Sequence, residues 1–220
     1  MAVIKKQSLV DQIYDQIRND IINLVYPFGG KLVASELQEK YQVSSTPVRE
    51  ALNRLQQEGL VEYENNIGAR IISIAPKDVW EIQELAITLH KAAIKLAMRE
   101  SDHKIIASEL KGHLEEYKKA KTPRERTRSV HLFIGVFYKY CHNHRLDMNM
   151  GIIKGQQLIL RNIYNCSSPD IPACTHLYER MIEETLRGNT PQVISLLEED
   201  SEKAMPIILK AVENKSYTKI

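Results

Sequence analysis

The stretch VSSTPVREALNRLQQEGLVEYENNIGARI, Val43–Ile71, puts a small polar cluster, a proline, an amphipathic run and a glycine-punctuated alternating run in one order that few folds accept. Pro47 suits the first helical position, where an N–H would have no intrahelical acceptor, and Thr46 or Ser45 before it can accept from the free N–H groups. Val48, Ala51, Leu52 and Leu55 then fall on one helical stripe and leave Arg49, Glu50, Asn53, Arg54, Gln56 and Gln57 outward, until Gly59 ends the helix. LVEYE and ARIISI read as two short strands around NNIG, an Asn and Gly turn of the kind that closes a hairpin.

Upstream, Leu9, Ile13, Ile17, Ile21 and Leu24 recur at helical spacing, which predicts a first helix over Ser8–Tyr26, broken by PFGG at Pro27–Gly30. A second helix, about Ala34–Gln42, buries Leu37 and Tyr41 and is separated from the third only by VSS. Three helices and a hairpin over residues 1–76 make a winged helix-turn-helix. Its third helix presents an arginine that can pair with guanine O6/N7, and Asn or Gln that can pair with adenine, to a major groove. The hairpin could place Arg70 and the backbone around Gly68 at a phosphate or the minor groove. Periodicity alone is equally satisfied by a solvated polar face, and winged domains also bind proteins.

Total charge does not choose between these readings. The 220-residue chain has a formal net charge of +2, and its first 76 residues are near balance, so a polyanion partner must be argued from local placement. With 43% hydrophobic and 26% charged residues it can bury a sizeable core. No apolar run approaches the ~20 residues that span a bilayer, and MAVIKKQSLVDQ lacks the apolar stretch of a secretory signal, so a cytoplasmic location without membrane contact is expected. Cys141, Cys166 and Cys174 are spaced unlike a zinc ligand set and read as free thiols.

From Asp78 onward the pattern is helix after helix, near 78–99, 102–119, 125–142, 145–164, 174–187 and 190–213. DVWE reads as a capping box with Asp78 as the N-cap, and Pro206 should kink or split the last helix. The expected fold class is therefore mostly α: a winged helix-turn-helix over 1–76, then an all-α bundle of about six helices over 77–220.

VSSTPVREALNRLQQEGLV followed by NNIGARI resembles the DNA-binding signature of the GntR family of bacterial transcriptional regulators, over about Ser8–Ser73. The helical remainder is similar to the ligand-sensing domain of the FadR-like (FCD) branch, through NHRL at Asn143–Leu146 and ETLRGNTPQV. The resemblance implies a homodimeric repressor on a double-stranded DNA operator, modulated by a small molecule such as an organic acid or acyl compound. It implies that Arg49 reads a base, that Ser44 and Thr46 hold phosphates, and that Gly68 lets the wing backbone approach DNA; Ser45, Asn53 and Arg70 complete the set of residues expected at the DNA. Ser45 and Ser35 stand where the family usually has basic residues, which should alter sequence preference.

Many such sensing domains hold a divalent metal. The resemblance places Val130 and Ile134, or Thr127 and His131 in a shifted register, at the paired Asp and His positions, Tyr178 at the third and about Asp200 at the fourth. The usual ligand set is absent, and no metal or other cofactor is expected. His90, His131, Ile134, Arg161 and Tyr178 are the candidate effector-pocket residues, the arginine, tyrosine and histidines being able to hold an anion or a polar ligand. No nucleophile with a base and an orienting third group is found; Cys141 beside a histidine is the best enzymatic construction, and a non-enzyme is expected.

Overall fold

The structure, a computed structural model, describes residues 8–64, 68–167 and 169–215. The chain divides into two compact units between Ile74 and Ala75. In the first, α1 (Leu9–Ile22) opens with a capping box: the Ser8 hydroxyl accepts from the Asp11 N–H at 3.1 Å, and the Asp11 carboxylate accepts from the Ser8 N–H at 3.2 Å. The helix stops at Ile22 rather than at the expected Tyr26. Leu24 adopts φ 60° and the Val25 N–H turns back to Asp20 O at 2.9 Å, a left-handed closure made by a leucine before the PFGG turn is reached.

After α1 come β1 (Lys31–Leu32), α2 (Ala34–Tyr41), α3 (Ser45–Gln57), β2 (Val61–Glu64) and β3 (Gly68–Ile71). β1 was not anticipated, because two residues carry no period. It turns the hairpin into a three-stranded antiparallel sheet of order β1-β3-β2, with Arg70 opposite Lys31 on one side and Glu62 on the other. Asn65, Asn66 and Ile67 of the expected NNIG turn lie outside the described residues. α3 begins at Ser45 after an N-cap at Ser44 that makes no side-chain capping bond, so neither Ser45 nor Thr46 caps it as expected. Pro47 is the third helical residue, not the first, and is tolerated because the whole first turn lacks intrahelical acceptors. Behind the polar face, α1 packs mainly on α3, with Ile17, Val48, Ala51 and Leu55 fully buried.

The turn between α2 and α3 is closed by Gln42 in the left-handed region, at φ 53° with an exposed side chain. Glycine adopts that conformation without Cβ strain. Gln42→Gly is expected to stabilise the winged unit by about 0.5–1 kcal/mol, read as a higher urea midpoint; an unchanged or lower midpoint would count against strain at this turn.

The second unit contains α4 (Pro76–Glu100), α5 (His103–Lys119), α6 (Pro123–Tyr140), α7 (His144–Cys166), α8 (Ile171–Leu186) and α9 (Thr190–Glu213). α5 packs on α6 and α8, while α4 lies against α6, α7 and α9. Asp78 is not the N-cap of α4. The cap is Ala75, and Asp78, at the third helical position, accepts from its N–H at 2.7 Å; alanine has no acceptor to return, so only half of a capping box forms. α6 starts earlier than expected because Thr122 and Glu125 form a full capping box around Pro123. α8 starts at Ile171, since the Asp170 carboxylate accepts from the Ala173 N–H at 3.0 Å. α9 runs through Pro206 without being split. Pro206 and Glu202, whose carbonyl the missing N–H leaves free, both lie on the exposed side of α9, where water can serve that carbonyl.

Candidate nucleic-acid interface and ligand cavity

The polar face of α3 and the strands beside it enclose a groove of about 630 Å³, walled by Lys31, Arg49, Asn53, Gln56, Tyr63 and Gly68 among others. Arg49 is exposed on α3 and makes no ion pair among the described residues. The other arginine on this helix is spent internally: Arg54 Nη1 donates to Asp11 Oδ1 at 2.6 Å, and its guanidinium lies 4.0 Å from the centre of the Tyr14 ring. Glu58 is likewise held, by Arg18 Nε at 2.8 Å and by the Tyr14 hydroxyl. A long cationic arm with no ion pair among the described residues can be offered to a ligand at little internal cost.

Ser44, exposed before the first turn, leaves its hydroxyl uncommitted to the helix cap, and Thr46 is exposed beside it while Ser45 is half-buried. The free N–H groups of that turn suit an anion such as a phosphate. Gly68 has φ 95°, and a Cβ there would meet nothing within 4 Å, so its backbone conformation requires glycine while the space outside it stays open. Arg70 is less available than the sequence suggested. Its Nη1 donates to Gly29 O at 3.1 Å, and Nε lies 2.8 Å from Glu64 Oε2 without the alignment of a hydrogen bond. Lys31 and Tyr63 were missed: Lys31 sits on the two-residue strand, and β2 is exposed at three successive positions, so Tyr63 had no alternation to mark it.

Residues 9–71 match the family described as bacterial regulatory proteins, gntR family. They form a gntR-family domain. The chain is 33% identical over 109 residues to YdhC, an HTH-type transcriptional regulator of Bacillus subtilis, covering 50% of this chain and 48% of that protein. It is 31% identical over 113 residues to a protein of Paenarthrobacter nicotinovorans named as a D-xylose utilization operon transcriptional repressor, covering 51% and 49%. The chain thus spans about half the length of the curated relatives it matches. McbR/YncC of E. coli shares the fold over both units, with a TM-score of 0.75 at 20% identity, covering 92% of this chain and 98% of that one.

Outside the gntR-family domain, the helical unit holds a cavity of about 770 Å³. His90, His131 and Ile134 line it, together with Tyr138, His142 and His144. Arg161 and Tyr178 do not. Arg161 Nη2 donates to Asp200 Oδ2 at 2.6 Å, and the Tyr178 hydroxyl donates to Asp200 Oδ1 at 3.1 Å, a buried charge pair with both carboxylate oxygens occupied. Burial works against the Arg161 charge, and Asp200 overrides it, holding the guanidinium above its ordinary pKa; burial and then Asp200 push the Tyr178 hydroxyl well up. The resemblance register brings real neighbours together: Val130, Ile134 and Asp200 border one small cavity with Arg161. Thr127, the alternative register, is instead fixed in the core, donating to Asn162 Oδ1 at 2.6 Å and accepting from Asn165 Nδ2 at 2.9 Å. Among the described residues no group of three His, Cys, Asp or Glu side chains is placed to hold a metal ion, and no helix is long and apolar enough to cross a membrane. Cys141 is buried, its thiol directed at Tyr138 O at 3.2 Å.

His90 Nδ1 lies 2.9 Å from the Tyr138 hydroxyl, and burial, followed by Arg161 and His131, lowers its pKa to about 3. The folded state therefore binds fewer protons than the unfolded state below the ordinary imidazole value of about 6.5. His90 costs stability progressively as pH falls from about 6.5 toward 3, and nothing above that window. His90→Asn, which keeps a partner for Tyr138, is expected to flatten the fall in stability across pH 6 to 4, measured as thermal midpoints of both proteins; parallel curves would mean that other groups carry the acid sensitivity.

Proposed function

We propose that this chain is a sequence-specific DNA-binding transcriptional regulator of the FadR-like (FCD) branch, and that a small molecule in the helical unit sets its operator affinity. The observation that carries the reading is Arg49, unpaired on the exposed face of α3 within the segment that matches the gntR family. In this reading Arg49 and Asn53 face base edges, Ser44, Ser45 and Thr46 meet phosphates at the start of α3, and Gly68 lets the wing backbone approach the duplex. Arg70 serves the wing indirectly, by bracing Gly29 and Glu64, and reaches DNA only if it leaves them.

One recognition helix contacts only a few base pairs, so a homodimer on a palindromic operator is part of the proposal. The cavity beside His90, His131 and Ile134 supports an effector, with no metal taking part. Ligand would act by binding the DNA-competent and incompetent states unequally, since only differential affinity shifts such an equilibrium. Relief of repression is the proposed sign, in keeping with the relative named as a repressor. The test is selection of bound fragments from the source genome by the purified chain. Enrichment of a common palindromic site supports the reading, whereas uniform recovery of all fragments at low salt overturns it.

A further inference from the structure

We infer that Tyr63 sets the polarity with which Asn53 meets a base: it holds the amide oxygen, so that Asn53 offers its amino group alone and selects guanine or thymine over adenine. The inference rests on the proposed DNA reading and names what that side chain recognises. Asn53 follows Arg49 by four residues on α3, so the two leave one face of the helix, and both are exposed. Tyr63 stands on β2, paired with Ala69, and is 44% exposed. All three residues line the groove of about 630 Å³. The Tyr63 hydroxyl donates to Asn53 Oδ1 at 3.5 Å, a long bond from the wing to the recognition helix. Burial raises the Tyr63 pKa and the Arg49 charge acts against it, so near neutral pH the hydroxyl keeps its proton and remains a donor.

An asparagine free at both ends of its amide reads adenine, accepting from N6 through Oδ1 and donating to N7 through Nδ2. Here the carbonyl end is held by a residue of β2, and the end left for a duplex carries only N–H donors. In the major groove guanine presents acceptors at O6 and N7, and thymine one at O4, whereas adenine and cytosine carry an amino donor at the corresponding place. A side chain that can only donate meets the amino bases with like polarity and the keto bases with the opposite one. Arg49 is likewise a pure donor, so the exposed stripe of α3 asks for acceptors at both places, and guanine supplies most. Tyr63 is thus a positioning residue that acts on the base through Asn53. The terminal torsion of asparagine has no sharp rotamer wells, so without the hydroxyl the amide can turn over and offer both ends.

The test is selection of bound duplexes from a randomised pool by the full chain, by Asn53→Ala and by Tyr63→Phe, with thermal melting of each as the check on folding. Both residues are exposed, so both variants are expected to fold. Asn53→Ala marks the operator position that this side chain reads, as the one where preference collapses. There the wild-type chain is expected to prefer guanine or thymine over adenine by about 2- to 10-fold, the worth of one hydrogen bond. Tyr63→Phe should bring adenine level at that position and leave the preference at other positions, the affinity for random duplex and the melting temperature as they were. A tyrosine with a merely structural role would shift those instead. Adenine preferred by the wild-type chain at the marked position, a Tyr63→Phe profile identical to the wild type, or an equal loss at every position overturns the inference. So does an Asn53→Ala variant with an unchanged profile, since Asn53 then reads no base. A chain that selects an operator and gives any of these results loses the Tyr63 assignment alone; one that recovers all duplexes equally loses the DNA reading, and this inference with it.

Discussion

Replacing Arg49 by alanine is expected to lower affinity for the selected operator by about 5- to 150-fold, the equivalent of about 1–3 kcal/mol for one base-specific pair. The same change should weaken binding to random duplex much less. The distinction follows from the surroundings of the side chain. Arg49 makes no ion pair among the described residues, so its removal should not disturb the fold. Val48, Ala51, Leu52 and Leu55, which hold α3 in place, are untouched. Arg54→Ala is the informative contrast, because Arg54 is bound to Asp11 and stacked on Tyr14. That variant should shift stability slightly and leave the preference for operator over random DNA unaltered. Gel-shift titrations of both variants on both duplexes decide the matter: equal losses on operator and random DNA for Arg49→Ala would reduce it to a phosphate contact.

Arg161→Met alone should destabilise the helical unit by about 3–5 kcal/mol, because it leaves Asp200 as a buried carboxylate whose charge has no counter-ion. Pairing it with Asp200→Leu should recover most of the loss, although the Tyr178 hydroxyl then has no acceptor. A loss of this size is a large share of the ~5–15 kcal/mol that typical domains possess. Urea unfolding of the two variants followed by circular dichroism provides the measurement. If the single variant is as stable as the double, the Arg161–Asp200 pair contributes through packing and not through charge. The pair joins α7 to α9, and Tyr178 ties α8 to the same carboxylate, so the network also fixes how these three helices meet.

The organisation of the winged unit could be read from the chain because its signals are local. The stripe from Val48 to Leu55, the glycine at Gly59 with φ 63°, and the polar arms between them are set within a few turns of one helix. The missed details are non-local or lack a composition cue. Leu24 closes α1 in a conformation leucine seldom takes, so no turn residue announced the stop. β1 exists only because Lys31 and Leu32 find Arg70 and Ala69, far along the sequence. Asp78 lost its expected capping position to Ala75 because the helix gained one turn through Pro76, a residue that starts helices as readily as it breaks them.

The effector-pocket candidates divide for the same reason. His90, His131 and Ile134 reached a common cavity, whereas Arg161 and Tyr178 turned to Asp200, which sequence reading had placed only as a vacant ligand position. The amino-acid order by itself determined which segments are helices, which face of α3 is polar and where an arginine stands on that face, since hydrophobic periodicity and proline or glycine placement act over a few residues. Only the tertiary structure decided which charges are consumed. Asp11 takes Arg54, Glu64 and Gly29 hold Arg70, Asp200 takes one half of the Arg161 fork, and Arg49 is left over, because pairing between charges depends on distances that are fixed only when separate helices and strands have packed.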